Sequence, residues 1–274
     1  MRNLSKSKII AFRQCPKRLW LELHRPELRD DSASQMVFAI GNQVGDVARG
    51  IYDTEGNGKL IDVSEIGWDA AYSETSAWLS GTAAPLFEAA IRIEGALALA
   101  DVMLPEPGDS GLRWHMLEVK SSTGVKDYHR EDLAVQSYIA TTSGIDLASA
   151  SLAHVDKSFV YPGGGDYRGL LKAVDLTDEV RAKAGEVATW IAEAQEIAAL
   201  KDEPEIETGP HCSDPFRCPF LHHCGRNKPT VDFPLSSLNR LGAKKRGELE
   251  ALGYTDVREV PDEHLSAVNR LVKS

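Results

Sequence analysis

The stretch that decides the fold is residues 89–121, which read AAIRIEGALALADVMLPEPGDSGLRWHMLEVKS. It contains three short apolar-rich runs, over 89–94, 96–104 and 112–121. Each run is bounded by turn-forming residues, so each is predicted to be a strand. Gly95 predicts a tight connection between the first two strands, and the Pro- and Gly-rich residues 105–111 predict a loop before the third. Three consecutive strands indicate a sheet at the centre of the domain.

Helical patterns lie on both sides of these strands. Apolar residues at helical spacing predict helices over residues 5–24, 35–50, 68–79, 125–142 and 177–200. Two further strands are predicted over 59–63 and 150–161. Helices, three strands, a helix and another strand in this order predict an α/β fold, with a mixed central sheet flanked by helices and a helical N-terminal part.

A change of composition near Lys228 indicates a domain boundary. Pro229 and Pro234 predict a linker, and short helical segments broken by Gly and Pro follow it. We therefore expect a main domain over residues 1–228 and a small helical appendage over 229–274.

Composition and charge exclude several classes of protein. The 274 residues are 42% hydrophobic and 26% charged, which excludes general disorder. The net charge of −10 excludes a uniformly basic nucleic-acid coat, although it is compatible with a local basic channel. No apolar run reaches the roughly 18 residues of a membrane span, and the first residues lack the pattern of a signal peptide. We therefore expect a cytoplasmic protein with no membrane partner.

Acidic and basic residues converge at the ends of two predicted strands. Asp101 ends one strand, and Glu118-Val119-Lys120 ends the next. Residues two apart in a strand share a face, so Glu118 and Lys120 point the same way, and strand pairing would bring Asp101 close to Glu118. Two adjacent carboxylates suit Mg²⁺ or Mn²⁺, and a lysine beside the ion can orient water or stabilise phosphate charge. This arrangement predicts phosphodiester hydrolysis, whereas the alternative is a surface salt bridge with an unrelated Asp101.

Residues 93–104, 117–122 and 132–138 together resemble the PD-(D/E)XK nuclease superfamily, in particular its RecB-like branch. The resemblance implies a restriction-endonuclease-like core in which Asp101, Glu118, Lys120 and Gln136 are catalytic. It implies that Asp101, Glu118 and the backbone carbonyl of Val119 bind the metal, that Lys120 is the catalytic lysine, and that Gln136 positions substrate or a metal-bound water.

The sequence departs from this pattern in two places. No proline precedes Asp101, and Gly45 stands where RecB-like members often carry a metal-binding histidine. Glu94 is a candidate replacement for that ligand, but an exposed position at a strand end is the interpretation we favour for it.

The chain has four cysteines, and three of them are clustered. Cys212, Cys218 and Cys224 lie within one short segment, and Cys15 lies far upstream. Four thiolates suit a tetrahedral zinc or a [4Fe–4S] cluster, but closely spaced zinc knuckles are absent from the sequence. One early cysteine and a late trio resemble the iron–sulfur staple of RecB-like nucleases, which include CRISPR-associated adaptation exonucleases and AddB-type helicase-nucleases. The resemblance implies a [4Fe–4S] cluster held by Cys15 and the trio. Zinc and unrelated thiols are the alternatives. His211, His222 and His223 are alternative ligands, but a solvated or packing role is the interpretation we favour for each.

A nuclease needs cations along the path of the phosphate backbone. The candidates are basic residues near Cys15 and beside the acidic site, namely Lys6, Lys8, Arg13, Lys17 and Arg18, and Lys126, His129 and Arg130. Residues 238–254, which include Lys244 and Lys245, resemble a helix-hairpin-helix DNA-binding element. For each of these residues, a solvated surface role is the alternative.

Together these features predict a metal-dependent DNA nuclease with a [4Fe–4S] cluster. We expect an exonuclease that acts on single-stranded DNA or duplex ends and uses Mg²⁺ or Mn²⁺. The related branch also leads us to expect a further nuclease-like domain or a DNA-processing partner. Because Gly45 replaces the histidine, a catalytically weak or inactive nucleic-acid-binding module of the same fold is the main alternative, and a zinc-stapled interaction protein is the third.

Overall fold

The structure is a computed structural model that describes residues 1–30, 35–109, 111–226, 231–238 and 241–273. Contacts divide the chain into two compact units, Met1–Pro204 and Glu205–Ser274. The predicted domain boundary between residues 228 and 229 lies outside the described residues. Within the described ranges, no helix combines the length and the apolar character needed to cross a bilayer.

The first unit is built on a mixed sheet, which has seven strands in the described part of the chain. The strands are β1 (Leu4–Ser5), β2 (Lys59–Leu60), β3 (Leu86–Ile93), β4 (Ala96–Gly108), β5 (Gly111–Lys120), β6 (Leu147–Val155) and β7 (Leu171–Asp175). Their order is β2-β3-β4-β5-β6-β7, and β1 pairs with β4. The pairs β1–β4, β2–β3 and β5–β6 are parallel, and the others are antiparallel. The predicted α/β class with a mixed central sheet is confirmed.

Helices flank this sheet, and further short helices lie in the second unit. In the first unit they are α1 (Lys6–Gln14), α2 (Pro16–His24), α3 (Gln35–Tyr52), α4 (Val63–Ile66), α5 (Trp68–Gly81), α6 (Asp127–Thr142), α7 (Thr177–Ala182) and α8 (Ala184–Ala199). In the second unit they are α9 (Leu221–Gly225), α10 (Ala243–Ala251) and α11 (Ala267–Lys273). The predicted helix over 5–24 is therefore two helices that meet at Cys15, where the backbone is extended (φ −165°, ψ 122°).

The predicted loop over 105–111 is wrong, because β4 continues as a strand to Gly108. Pro105 pairs with Trp114 and Pro107 with Leu112 across β5. The pairing of β3 with β4 ends at Met103, so beyond that residue β4 has no partner on its other side among the described residues. Proline is tolerated there because an edge position does not require its missing N–H.

The two faces of the sheet differ near the candidate site. On one face, Phe87, Val102, Leu117 and Ala153 form a buried cluster against which Val119 packs. Helix α6 packs against β3, β4 and β6. Because side chains alternate along a strand, Asp101, Glu118 and Lys120 lie on the face opposite to this apolar cluster.

The second unit has a small apolar core of its own. Its buried residues are Leu235, Leu238, Leu241, Leu249, Val257, Val260 and Leu265. Short helices broken near Gly242, Gly253 and Pro261 surround this core, as the sequence predicts. Asn239 and Arg240 of the helix-hairpin-helix-like segment lie outside the described residues.

Candidate active site

Strand register places three carboxyl groups in line across neighbouring strands. Phe87 pairs with Val102 and Ala89 with Ala100, so Glu88 lies opposite Asp101. Val102 pairs with Leu117, and the same register places Asp101 beside Glu118. The structure therefore brings the predicted Asp101 and Glu118 together and adds Glu88, which the sequence interpretation did not include.

Glu118 is the centre of a network of charged hydrogen bonds. Its side chain is only 2% exposed, and its Oε1 accepts from the Nζ of Lys6 at 2.8 Å and the Nζ of Lys120 at 2.6 Å. Its Oε2 accepts from the Nε2 of Gln136. Burial alone would raise the pKa of Glu118, but the neighbouring Lys120 and Lys6 lower it to about 2. Glu118 is therefore an ionised carboxylate throughout the physiological pH range.

Lys120 bridges Glu118 and helix α6. Its Nζ also donates to the Oδ2 of Asp132. Burial works against its charge, but the carboxylates of Glu118 and Asp132 raise its pKa above the ordinary value. Lys120 is thus a fixed cation on the same face as Glu118, as the two-residue spacing predicts.

Gln136 lies four residues after Asp132 on α6, so both side chains leave the same face of the helix. Its Nε2 donates to the carbonyl of Leu99 at 3.1 Å as well as to Glu118. Its Oε1 is buried and has no hydrogen-bond partner among the described residues. The amide therefore fixes Glu118 to β4 and leaves one acceptor available inside the site.

Asp101 is a half-buried carboxyl with no ion pair among the described residues. Its Oδ2 accepts from the backbone N–H of Val119 at 2.7 Å. Burial, followed by repulsion from Glu118, raises its pKa to about 8. In a strand the N–H and C=O of one residue point the same way, so the Val119 carbonyl also faces Asp101. This places the three predicted metal-binding groups at one position.

Glu88 joins this group from β3 through an unusual backbone conformation. Its φ of 55° lies in the left-handed region that non-glycine residues seldom adopt. Burial, followed by repulsion from Glu118, raises its pKa above the ordinary value. A third carboxyl beside two others makes the site attractive to cations.

The donors present fit a hydrated Mg²⁺ or Mn²⁺. Asp101, Glu118 and the Val119 carbonyl are hard oxygen donors, and Asp101 and Glu88 form no ion pair in the part of the chain that the structure describes. No three His, Cys, Asp or Glu side chains within those residues form a ready-made metal site. The fit to Mg²⁺ or Mn²⁺ therefore rests on donor type alone, because Mg²⁺ commonly uses one or two carboxylates and keeps several waters.

The sequence analysis did not assign Glu88, Asp132 or Lys6 to the site. Sequence features nevertheless indicated the positions of Glu88 and Asp132. The hairpin turn at Gly95 fixes a register in which Glu88 must face Asp101. Asp132 lies one helical turn from Gln136. Lys6 carried no local signal, because its contact with Glu118 joins residues 112 apart in the chain. Glu94 is exposed in the hairpin turn at the far end of β4, so it does not reach this site.

Most of the cations predicted to contact DNA already carry carboxylate partners. Ion pairs join Lys17 to Glu203, Arg18 to Glu22, Arg130 to Glu179 and Lys245 to Glu248. Lys126 lies over the ring of Tyr128, with its Nζ 5.6 Å from the ring centre, and Lys244 is exposed. Of these residues, Arg130 is the nearest along the chain to the acidic site, two residues before Asp132.

None of the four cysteines is in a disulfide. Cys15 is in the first unit, where it is buried between α1 and α2. Cys212 and Cys218 are buried in the second unit, where the N–H of Cys218 donates to the carbonyl of Cys212 at 2.8 Å. Cys224 is half-buried in α9. The donor type suits iron or zinc, but the described thiols do not form a ready-made metal site. The [4Fe–4S] cluster therefore stays a prediction that the resemblance implies.

Comparisons with known proteins add little to this geometry. No family model matches the chain, and no curated protein matches it. A solved structure described as the crystal structure of SSO0001 matches with a TM-score of 0.35 and 14% sequence identity, over 75% of this chain and 80% of that one. A TM-score this low carries no argument about fold or function, so any functional assignment depends on the geometry of the acidic site.

Proposed function

We propose that this protein is a metal-dependent nuclease that hydrolyses phosphodiester bonds in DNA on a restriction-endonuclease-like core. The observation that carries the proposal is the convergence of Asp101, Glu118 and Lys120 on one face of the sheet, with Gln136 holding Glu118 from α6. A carboxylate pair with a fixed ammonium group beside it is the set of groups that this reaction requires.

Each side chain has a role that follows from its surroundings. A bound Mg²⁺ or Mn²⁺ would polarise the phosphate and lower the pKa of a water molecule. Asp101, Glu118 and the Val119 carbonyl would hold it. Lys120 keeps its proton, so it acts as a cation that orients water and offsets negative charge developing on the phosphate. Gln136 fixes the carboxylate of Glu118 and offers its buried Oε1 to a bound water.

A cleavage assay with labelled DNA tests the proposal. The wild type is expected to degrade linear DNA with Mg²⁺ or Mn²⁺ and to lose activity in EDTA. Lys120→Ala should reduce the rate at least a hundredfold, because one positioned electrostatic group commonly contributes that much. Lys157→Ala, an exposed lysine after β6, is the matched control and should leave the rate unchanged. Full cleavage by Lys120→Ala would contradict the assignment.

The substrate form is tested in the same assay. We propose an exonuclease for single strands or duplex ends, so circular single-stranded DNA should resist while linear DNA of the same sequence is degraded. Equal cleavage of circles would identify an endonuclease instead. A matched RNA strand tests the choice of DNA.

A second function is favoured by a specific observation. The ammonium groups of Lys6 and Lys120 already form ion pairs with Glu118. In addition, Gly45 lies in α3 at the position where the resemblance implies a histidine. Both features favour a nucleic-acid-binding module with weak or no catalysis. Titration with Mn²⁺ separates the two functions, because only a metal-dependent enzyme requires uptake that Asp101→Ala abolishes. Persistent DNA binding without such uptake would favour the binding module.

The proposal includes a structural [4Fe–4S] cluster at Cys15, Cys212, Cys218 and Cys224, a cytoplasmic location and a DNA-processing partner or further nuclease-like domain. Protein purified without oxygen should be brown and contain iron and acid-labile sulfide, whereas zinc-bound protein would be colourless. Cys218→Ser should reduce the iron content. Stoichiometric zinc without iron would favour the zinc-stapled interaction protein.

A further inference from the structure

Lys6 reaches the site through an unusual arrangement of strands. β3 occupies one side of β4 from Ala96 to Met103, so β1 and β5 must share the other side. β1 runs parallel to β4 and β5 runs antiparallel to it, so the two strands approach each other end to end. Lys6 is the first residue of α1, directly after β1. The sheet therefore delivers its side chain to the end of β5, where Glu118 lies.

Lys6 and Lys120 share one carboxylate oxygen but differ in their other contacts. Both donate to the Oε1 of Glu118, and Lys120 also donates to Asp132. Within the described residues, Glu118 is the carboxylate with which Lys6 forms an ion pair. The two lysine side chains are about equally exposed, 19% for Lys6 and 20% for Lys120, so the difference between them lies in their contacts. Lys6 is thus the ammonium that Glu118 can release to solvent with the smaller loss of contacts.

We propose that Lys6 is a built-in competitor of the divalent metal at Glu118. Its ammonium group balances that carboxylate while the metal is absent, and the metal must displace it to bind. The inference rests on the proposed function, because it assumes that Glu118 is a metal ligand. A divalent ion next to the displaced ammonium would repel it, so the two cations exclude each other at the same oxygen. Lys6 would thereby set the metal concentration at which the site fills.

Lys6→Met tests this, because it removes the ammonium and keeps most of the apolar stem. Glu118 keeps its contacts with Lys120 and Gln136 in this variant. The matched control is Lys8→Met, since Lys8 lies on the same helix and pairs with Glu22 at 2.8 Å instead of the site. Circular dichroism of both variants checks that they fold.

The measurement is Mn²⁺ binding without DNA, followed by the electron paramagnetic resonance signal of free Mn²⁺. Lys6→Met should lower the dissociation constant of the Asp101-dependent site roughly tenfold, the factor expected for removing one competing charged hydrogen bond. Lys8→Met should leave it unchanged. Lys6→Arg should weaken Mn²⁺ binding, because a guanidinium holds a carboxylate more firmly than an ammonium. If Lys6→Met does not fold, Mn²⁺ binding by Lys6→Arg alone tests whether Lys6 competes with the metal.

The outcomes separate the inference from the proposed function. Tighter Mn²⁺ binding by Lys6→Met without DNA cleavage supports the competitor and contradicts the nuclease. Metal-dependent cleavage with an unchanged or raised dissociation constant in Lys6→Met supports the nuclease and overturns the competitor. If neither wild type nor Lys6→Met takes up Mn²⁺ in a manner that requires Asp101, both are overturned.

Discussion

Replacing Asp101 with asparagine should stabilise the metal-free protein while it destroys the metal site. Asp101 is half-buried and forms no ion pair among the described residues, and its pKa is raised to about 8 from 3.8. Asparagine keeps the oxygen that accepts from the Val119 N–H, but it carries no charge to repel Glu118. A residue that serves function at the expense of stability should behave in this way.

The size and sign of the effect follow from linkage. The folded protein holds the Asp101 proton that the unfolded chain releases, so the wild type loses stability as pH rises from about 4 to about 8. The slope is roughly 1.4 kcal/mol per pH unit. From pH 5 to pH 8, the variant should therefore gain on the order of 3 kcal/mol in free energy of unfolding relative to wild type. For a protein of this size that corresponds to a Tm difference of roughly 6 to 12 °C.

Urea unfolding of both proteins in EDTA at pH 5, 6, 7 and 8 measures this difference. Asp202→Asn, an exposed carboxyl of the same unit, is the control and should show no such trend. Added Mn²⁺ should stabilise the wild type at pH 8 but not Asp101→Asn. A stability difference that stays constant across this pH range, or that grows towards low pH, would refute the assignment of Asp101 as a carboxyl without a compensating cation.

Three further variants test other contacts of the structure. Glu118→Ala should lower the free energy of unfolding by about 3 to 5 kcal/mol, because it leaves two ammonium groups without their shared partner; urea unfolding measures this, and a loss below ~1 kcal/mol would contradict it. Gln136→Leu should reduce cleavage while Lys120→Ala reduces it further, since Gln136 acts through Glu118; a larger loss in Gln136→Leu would reverse these roles. Lys244→Ala combined with Lys245→Ala should weaken DNA binding in fluorescence anisotropy and flatten its salt dependence, if the second unit contacts phosphate; identical salt slopes would exclude that contact.

The strands that hold the site were predicted from the sequence more accurately than the strand segments around them. The hairpin at Gly95 and the alternation along β5 were predicted, because tight turns and two-residue periodicity are local properties. The extension of β4 through Pro105 and Pro107 was missed, since proline ordinarily ends a strand and only the pairing with β5 shows that this edge tolerates it. β7 was also missed, because its half-exposed residues give little apolar pattern.

Site residues whose positions depend on local spacing were predicted from the sequence, whereas those that depend on distant strand pairing were not. Glu118 and Lys120 share a face by local spacing, and Gln136 follows from the helix after them. Lys6 could not be placed, because its position depends on β1 pairing with the middle of the chain. The positive φ of Glu88 was likewise not readable from the sequence, since such a conformation arises from the surrounding sheet and not from the residue itself.

The prolines of β4 also bear on how this protein behaves at high concentration. Beyond Met103, one edge of that strand is unpaired among the described residues. Unpaired strand edges can form backbone hydrogen bonds with strands of other molecules. Pro105 and Pro107 interrupt the row of donors that an incoming strand would need. Replacing both with threonine would restore those donors, and the resulting protein should self-associate as its concentration rises.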